Sequence, residues 1–269
     1  MRKAFFLCVI FFFSTLPVGA ESLLMATTTS TDNTGLLDKL IPIFSKDTGL
    51  NLNWIAVGTG RALKMGQNCD VDILMVHAPM AEKRFVKNGY GIKRKEFMYN
   101  DFIVVGPEDD PAGLEGLSLE RALKIIVAKK AVFVSRGDDS GTNKKEKYLW
   151  KYALNFEPDK ESWYIQTGQG MLSTLNIAAV KKGYTLTDRG TFIKYSSKVD
   201  GNSKLKIAVE GDKLLRNQYS VMIVNPKKCD KVKLNSAITF LNWVTSRKAQ
   251  KFIGNFRLMG KQLFIPNAK

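Results

Sequence analysis

Thr27-Thr28-Thr29-Ser30-Thr31-Asp32-Asn33-Thr34-Gly35 is the stretch whose reading decides the fold. It joins the apolar run Leu23-Leu24-Met25-Ala26 to Leu36, Leu37, Leu40, Ile41 and Phe44, which recur at helical spacing. The pattern predicts a buried strand, a polar turn and an amphipathic helix opening near Thr34. Six hydroxyls fall in nine positions, whereas capping a helix takes a single Ser or Thr. The first amides of a helix lack intrahelical partners and sit at the positive end of its dipole, so a hydroxyl-rich turn there suits an anion. An ordinary capped helix is the alternative reading of the same residues.

The rest of the chain repeats this alternation. Residues 50–57 read as a strand, Gly58-Thr59-Gly60 as a turn into a helix around Arg61, residues 71–76 as a short buried strand and 78–88 as a helix. A strand at 102–105 is closed by Gly106-Pro107 and a loop of Glu108, Asp109, Asp110 and Pro111. A second series follows. It has a helix at 119–128, a strand at 131–134, the polar stretch 135–142, and a long helix through Tyr148, Leu149 and Tyr152. Gly168-Gln169-Gly170 then opens a helix over 171–182, and Tyr184-Thr185-Leu186 leads into Thr187-Asp188-Arg189-Gly190. Residues 209–219 return to the first series, with a strand at 221–224 and a helical end over 236–256. Alternating strands and helices imply an α/β fold. Two lobes are expected, with 21–104 and 213–269 forming the first, 105–212 the second, and two chain crossings between them.

The chain has 269 residues, with 41 Lys and Arg against 25 Asp and Glu, a formal net charge of +16. It begins Met1-Arg2-Lys3, continues apolar to Phe13 and reaches Pro17-Val18-Gly19-Ala20. Charge, a short apolar core and small residues describe an export leader cut near Ala20. The run is too short to span a bilayer. A periplasmic location follows as an expectation. Export and the scatter of the basic residues argue against nucleic acid; the charge reads as a solvated basic surface, with long-range attraction of small anions as its functional alternative. Cys69 and Cys229 could pair in an oxidising compartment. The single histidine, His77, ends a buried strand; it reads as an ordinary strand-end residue, with a place at the border of a binding cleft as the alternative. With no paired Cys motif and one His, neither a zinc cluster nor a Ser-His-Asp nucleophile is legible.

Three polar turns each follow a strand and precede a helix: 27–35, 57–60 and 135–142. A fourth, 167–171, opens another helix. Ligands of open α/β sheets bind at the carboxyl ends of strands, so these turns define a cleft between lobes. Arg136 offers a forked donor to an oxyanion, and Ser140 and Thr142 add hydroxyls at a helix start. A surface Arg–Asp pair beside a capped helix is the alternative. Arg189, next to Asp188, is either a second ligand donor or part of a structural ion pair.

Taken together, residues 27–35, Val57-Gly58-Thr59-Gly60, 135–142, Gly168-Gln169-Gly170-Met171 and 184–190 resemble the tungstate-binding component of bacterial tungstate ABC transporters. The similarity covers nearly all of the chain after the leader. It implies a two-lobed periplasmic-binding-protein (Venus-flytrap) fold that closes on an oxyanion and presents it to a membrane permease. The site residues it implies are Thr28, Ser30, Thr59, Ser135, Arg136 and Arg189. Thr29, Gly58, Gly60, Arg61, Ser140, Thr142 and Gly170 are further candidates. Arg61 departs from the family pattern, where an uncharged Gln is commoner. Tungstate is a dianion near neutral pH and needs only donors, and charge-assisted bonds from arginine are the strong ones. Molybdate nearly matches it. Phosphate also needs an acceptor, which Asp138 or Asp139 could supply. The expectation is therefore a monomeric tungstate carrier without cofactor, metal or catalytic activity. A molybdate or phosphate carrier is the alternative within the same class, and a secreted phosphate or sulfate ester hydrolase the alternative outside it.

Overall fold

The computed structural model describes residues 22–198 and 203–269; the expected leader lies outside them. The first part contains β1 (Ser22–Thr28), the single turn α1 (Thr29–Asp32), α2 (Leu36–Thr48), β2 (Asn51–Val57), α3 (Thr59–Gln67), β3 (Ile73–Val76), α4 (Pro79–Lys87) and β4 (Gly91–Pro107). Next come α5 (Leu119–Lys129), β5 (Phe133–Ser135), α6 (Gly141–Leu154), β6 (Tyr164–Gln166), α7 (Met171–Lys181), β7 (Thr185–Asp188), α8 (Arg189–Lys198) and β8 (Leu205–Val209). The chain ends with β9 (Arg216–Val224), α9 (Leu234–Val244), α10 (Arg247–Asn255), β10 (Arg257–Leu258), β11 (Lys261–Gln262) and β12 (Ile265–Pro266). No helix among the described residues is long and apolar enough to cross a membrane.

The structure is a two-lobed α/β fold, and β4 runs through both lobes. As far as Asp101 it pairs antiparallel with β9, and from Phe102 onward with β7 and β8. The first lobe's sheet runs β12-β4-β9-β3-β1-β2, with β1 parallel to both β2 and β3. In the second, β5 pairs parallel with β6 and bridges to Tyr184 beside β7.

Strand alternation sorts side chains to opposite faces. Leu23 and Met25 of β1, with Tyr219, Val221 and Ile223 of β9, join Phe44, Phe240 and Ile253 beneath α2, α9 and α10. Ala26, Met222 and Val224 face α3 and α4 on the other side with Ala62 and Phe85. The same rule divides β4 beyond Asp101: Phe102 and Val104 enter a core with Trp150 and Tyr184, while Ile103 and Val105 enter another with Val134 and Leu175. Burial on both faces explains the uninterrupted apolar runs.

Several elements differ from the sequence reading. The strand expected at 102–105 is the end of a 17-residue strand. Its first half carries Lys93, Arg94, Lys95 and Glu96, which hide the strand pattern; Arg94 Nε donates to buried Glu82 at 2.8 Å. The turn 27–35 is not open loop: it winds into α1 before α2 begins, and Gly35 breaks between them at φ 75°. The helical end is two helices, split where the Ser246 hydroxyl caps α10. β6, α8 and β8 were not foreseen. Cys69 and Cys229 form a disulfide, Cα atoms 5.3 Å apart, joining the α3–β3 turn to the β9–α9 connection.

Candidate functional site

β1, β2 and β3 end side by side at Thr28, Val57 and Val76, and the segments that follow them form one wall of a cleft. The segments after β5 and β6 form the other wall. The cavity between them measures about 520 Å3. The first wall supplies Thr28, Thr29, Ser30, Gly58, Thr59, Gly60, Arg61 and His77; the second supplies Arg136, Asp138, Asp139, Ser140, Thr142 and Gly170.

Two helices point uncapped N-termini at this space. α3 begins after Gly58 and α7 after Gly170, and neither N-cap residue has a side chain to satisfy the first amides. α6 differs, because Ser140 Oγ accepts from Asn143 N. The hydroxyls of the first wall are linked: Thr28 Oγ1 lies 2.7 Å from Thr31 Oγ1 and 3.1 Å from Ser30 Oγ. Trp54 Nε1 donates to Asp32 at 2.7 Å, tying α1 to β2. Thr59 Oγ1 is buried and has no hydrogen-bond partner.

On the second wall Arg136 Nη2 donates to Asp138 Oδ2 at 2.5 Å, while Arg136 Nε is buried and unpartnered. Asp138 therefore orients the guanidinium without saturating it. Gly137 adopts φ 60° and has Gln166 beside it; a Cβ there would lie 2.8 Å from Gln166 Cβ. Glycine thus permits both the left-handed turn and the contact. Ser135 is fully buried behind the wall. Its hydroxyl donates to Glu146 Oε2 at 2.7 Å and receives Asn143 Nδ2 at 3.2 Å and Gly137 N at 3.3 Å. Burial raises the Glu146 carboxyl to about 7 against the hydrogen bonds it accepts from Tyr164, Ser135 and Trp150.

The walls touch where α6 starts. A methyl at Gly141 would lie 3.0 Å from Thr59 Oγ1 and 3.2 Å from His77 Cε1. His77 is buried, its Nδ1 2.8 Å from Asn217 Oδ1 and its Nε2 3.1 Å from Ser30 Oγ. Burial pushes the imidazole below its ordinary range, against the Asn217 hydrogen bond and the negative charge of Asp188; Arg136 adds to the depression.

Of the residues proposed from sequence, the structure gathers Thr28, Ser30, Thr59 and Arg136 around the cavity, with every further candidate. It corrects two. Ser135 lies beneath the surface with its hydroxyl engaged, and Arg189 is outside the lining. Arg189 Nε and Nη2 grip both oxygens of Asp101 at 2.7 and 2.5 Å, and Nη2 also meets Glu210 at 2.7 Å. The hydrogen bonds that Arg189 donates to Asp101 and Glu210 raise its guanidinium above the ordinary range, against the opposing effect of burial. Sequence reasoning gave His77 too little weight. Its position directly after β3, level with the turns after β1 and β2, was the signal for the cleft.

A wall of hydroxyls and free amides facing an oriented arginine across a two-lobed α/β fold is the arrangement of a solute-binding protein for oxyanions. The PBP superfamily domain matches residues 17–248. The tungstate-binding protein TupA of Campylobacter jejuni is 51% identical over 240 residues, 89% of each chain. TupA of Peptoclostridium acidaminophilum is 46% identical, over 92% of this chain and 86% of that protein. Among solved structures, the tungstate-binding protein TupA of Desulfovibrio alaskensis G20 superposes with a TM-score of 0.86 at 63% identity, over 93% of this chain and 100% of that one. The chain belongs to the PBP superfamily, within the family of these tungstate-binding relatives.

Proposed function

We propose that this protein is the extracytoplasmic binding component of a tungstate ABC transporter. It captures the dianion between its lobes and delivers it to a membrane permease. Its role is binding and not catalysis, in keeping with relatives named as binding proteins. The observation that carries the reading is the pair of buried donors without partners, Thr59 Oγ1 and Arg136 Nε, on opposite walls of one cavity. A buried donor left unpaired costs about 1–3 kcal/mol, and an oxyanion between the walls relieves both. Thr28, Ser30, Thr59 and Arg136 contact the ligand, with the first amides of α3 and α7. Ser135 holds the turn from beneath, and Arg61 contributes field. In this reading the lobes divide where the sheet partners of β4 change, near Asp101 and Arg216; the boundaries expected from sequence are 104/105 and 212/213. The leader is removed near Ala20, and the exported protein acts as a monomer.

Calorimetric titration with tungstate, molybdate, sulfate and phosphate in parallel tests this. One ligand per chain and tightest binding of tungstate are expected, with molybdate as close competitor. Preference for phosphate would move the assignment to a phosphate carrier, and turnover of a phosphate ester would remove it from the transport class.

A further inference from the structure

His77 is the only histidine in the chain and, among the described residues lining the cleft, the one whose ordinary titration falls near neutral pH. In the arrangement observed, Nδ1–H donates to Asn217 Oδ1, and Asn217 Nδ2 donates onward to Asn100 Oδ1 at 2.7 Å. That leaves Nε2 a lone pair, which the Ser30 hydroxyl 3.1 Å away can fill as donor; its other hydroxyl neighbour, Thr28 Oγ1, is also at 3.1 Å. The hydroxyl hydrogen is then turned from the cavity. For a ligand that needs donors only, the empty cleft holds Ser30 the wrong way round.

The groups around the ring come from every neighbouring element. The Tyr219 ring of β9 stacks at 4.8 Å, and Phe102 of β4 lies at 6.4 Å. The Asp188 carboxylate favours imidazolium and the Arg136 guanidinium opposes it. Arg84 of α4 and Lys144 and Lys145 of α6 line a neighbouring cavity with His77. Burial tips this balance to the neutral ring. An oxyanion in the cleft would act the other way, because it adds negative charge near the ring and offsets the field of Arg136.

We propose that His77 is a proton-taking positioning residue of the cleft. When a dianion enters, Nε2 acquires a proton from solvent and donates to Ser30 Oγ, which frees the Ser30 hydroxyl hydrogen for the anion. The Nε2–H bond is the only covalent bond formed, and Ser30 keeps its own proton. Capture is then coupled to uptake of one proton. The sign follows from linkage: the loaded form binds more protons than the empty one, so affinity rises as pH falls and is lost as pH rises through the loaded-state titration. The inference rests on the oxyanion-binding reading above.

The test uses untagged protein and tungstate, which stays fully deprotonated from pH 6 to 8. Titration calorimetry in two non-phosphate buffers of different ionisation heat should show uptake approaching one proton. The dissociation constant should rise by up to about tenfold per pH unit. His77→Gln should abolish both effects, and Glu146→Gln, which removes the other group titrating near neutrality, should keep them. Because the chain has one imidazole, its NMR signal reads the same event without mutation: neutral in the empty protein at pH 7, imidazolium when loaded. Buffer-independent heats, uptake that survives His77→Gln, or a ring that stays neutral with tungstate bound would each overturn the proposal while leaving the carrier assignment intact. Absence of any tungstate binding would overturn both.

Discussion

Arg136 and Arg189 occupy matching places in the second lobe. Each follows a short buried strand, has an aspartate within two residues and introduces a helix, and sequence alone made both candidates for the ligand. The structure separates them by where their donors go. Arg136 lines the cleft, gives one nitrogen to Asp138 and keeps Nε buried and without a partner. Arg189 spends its fork on Asp101, in β4 where the chain leaves the first lobe, and on Glu210, just after β8 where it starts back. One arginine keeps a buried nitrogen without a partner. The other has Nε and Nη2 engaged by two carboxylates and joins the two crossings. A local motif cannot distinguish these, since Asp101 lies 88 residues from Arg189 in the chain.

The contrast is broken first at Arg136. Hydrogen bonds to charged groups contribute about 1.5–3 kcal/mol, so Arg136→Ala should weaken tungstate binding by roughly ten- to a hundredfold, read by calorimetry. Arg136→Lys keeps the charge but loses the rigid fork and should fall between. Near-native affinity in a folded Arg136→Ala protein would put the ligand elsewhere.

At Arg189 the contrast predicts a different kind of damage. Arg189→Gln loosens the crossings but removes no ligand contact, so the loss of affinity should stay within about tenfold. Small-angle scattering should show that the compaction produced by tungstate is altered. An affinity loss as large as that of Arg136→Ala, with compaction unchanged, would return Arg189 to the ligand shell.

The smallest effect expected is on the hydroxyl wall. Thr28→Val removes one neutral hydrogen-bonding group and should cost about 1 kcal/mol, near fivefold in affinity. Because Thr28 also accepts from Thr31 N at the start of α1, its melting temperature should drop slightly as well. A loss exceeding that of Arg136→Ala would mean that hydroxyls, and not the guanidinium, dominate the grip.

These particulars also mark how far the sequence could be read. The turns after β1, β2 and β5 were legible because hydroxyls and glycines between an apolar run and a helical repeat have few other uses. Thr28, Thr59 and Arg136 lie in those turns, and it was the family resemblance the turns carry that singled out Thr28 and Thr59. The first half of β4 was not legible, because its charged residues are held by partners such as Glu82. The buried setting of Ser135 was not legible, because a serine at a strand end looks the same whether its hydroxyl faces the cavity or a buried carboxylate such as Glu146. His77 was undervalued because its partners, Ser30 and Asn217, lie 47 and 140 residues away.

The most direct measurement is the position of tungsten itself. In crystals grown with tungstate, anomalous scattering at a tungsten absorption edge locates the metal independently of any interpretation of the protein. A single strong peak is expected between the walls, with its oxygens within about 3 Å of the Arg136 guanidinium and the Thr59 hydroxyl. A peak on the outer surface, or one beside Arg189 and away from the cleft, would contradict the account.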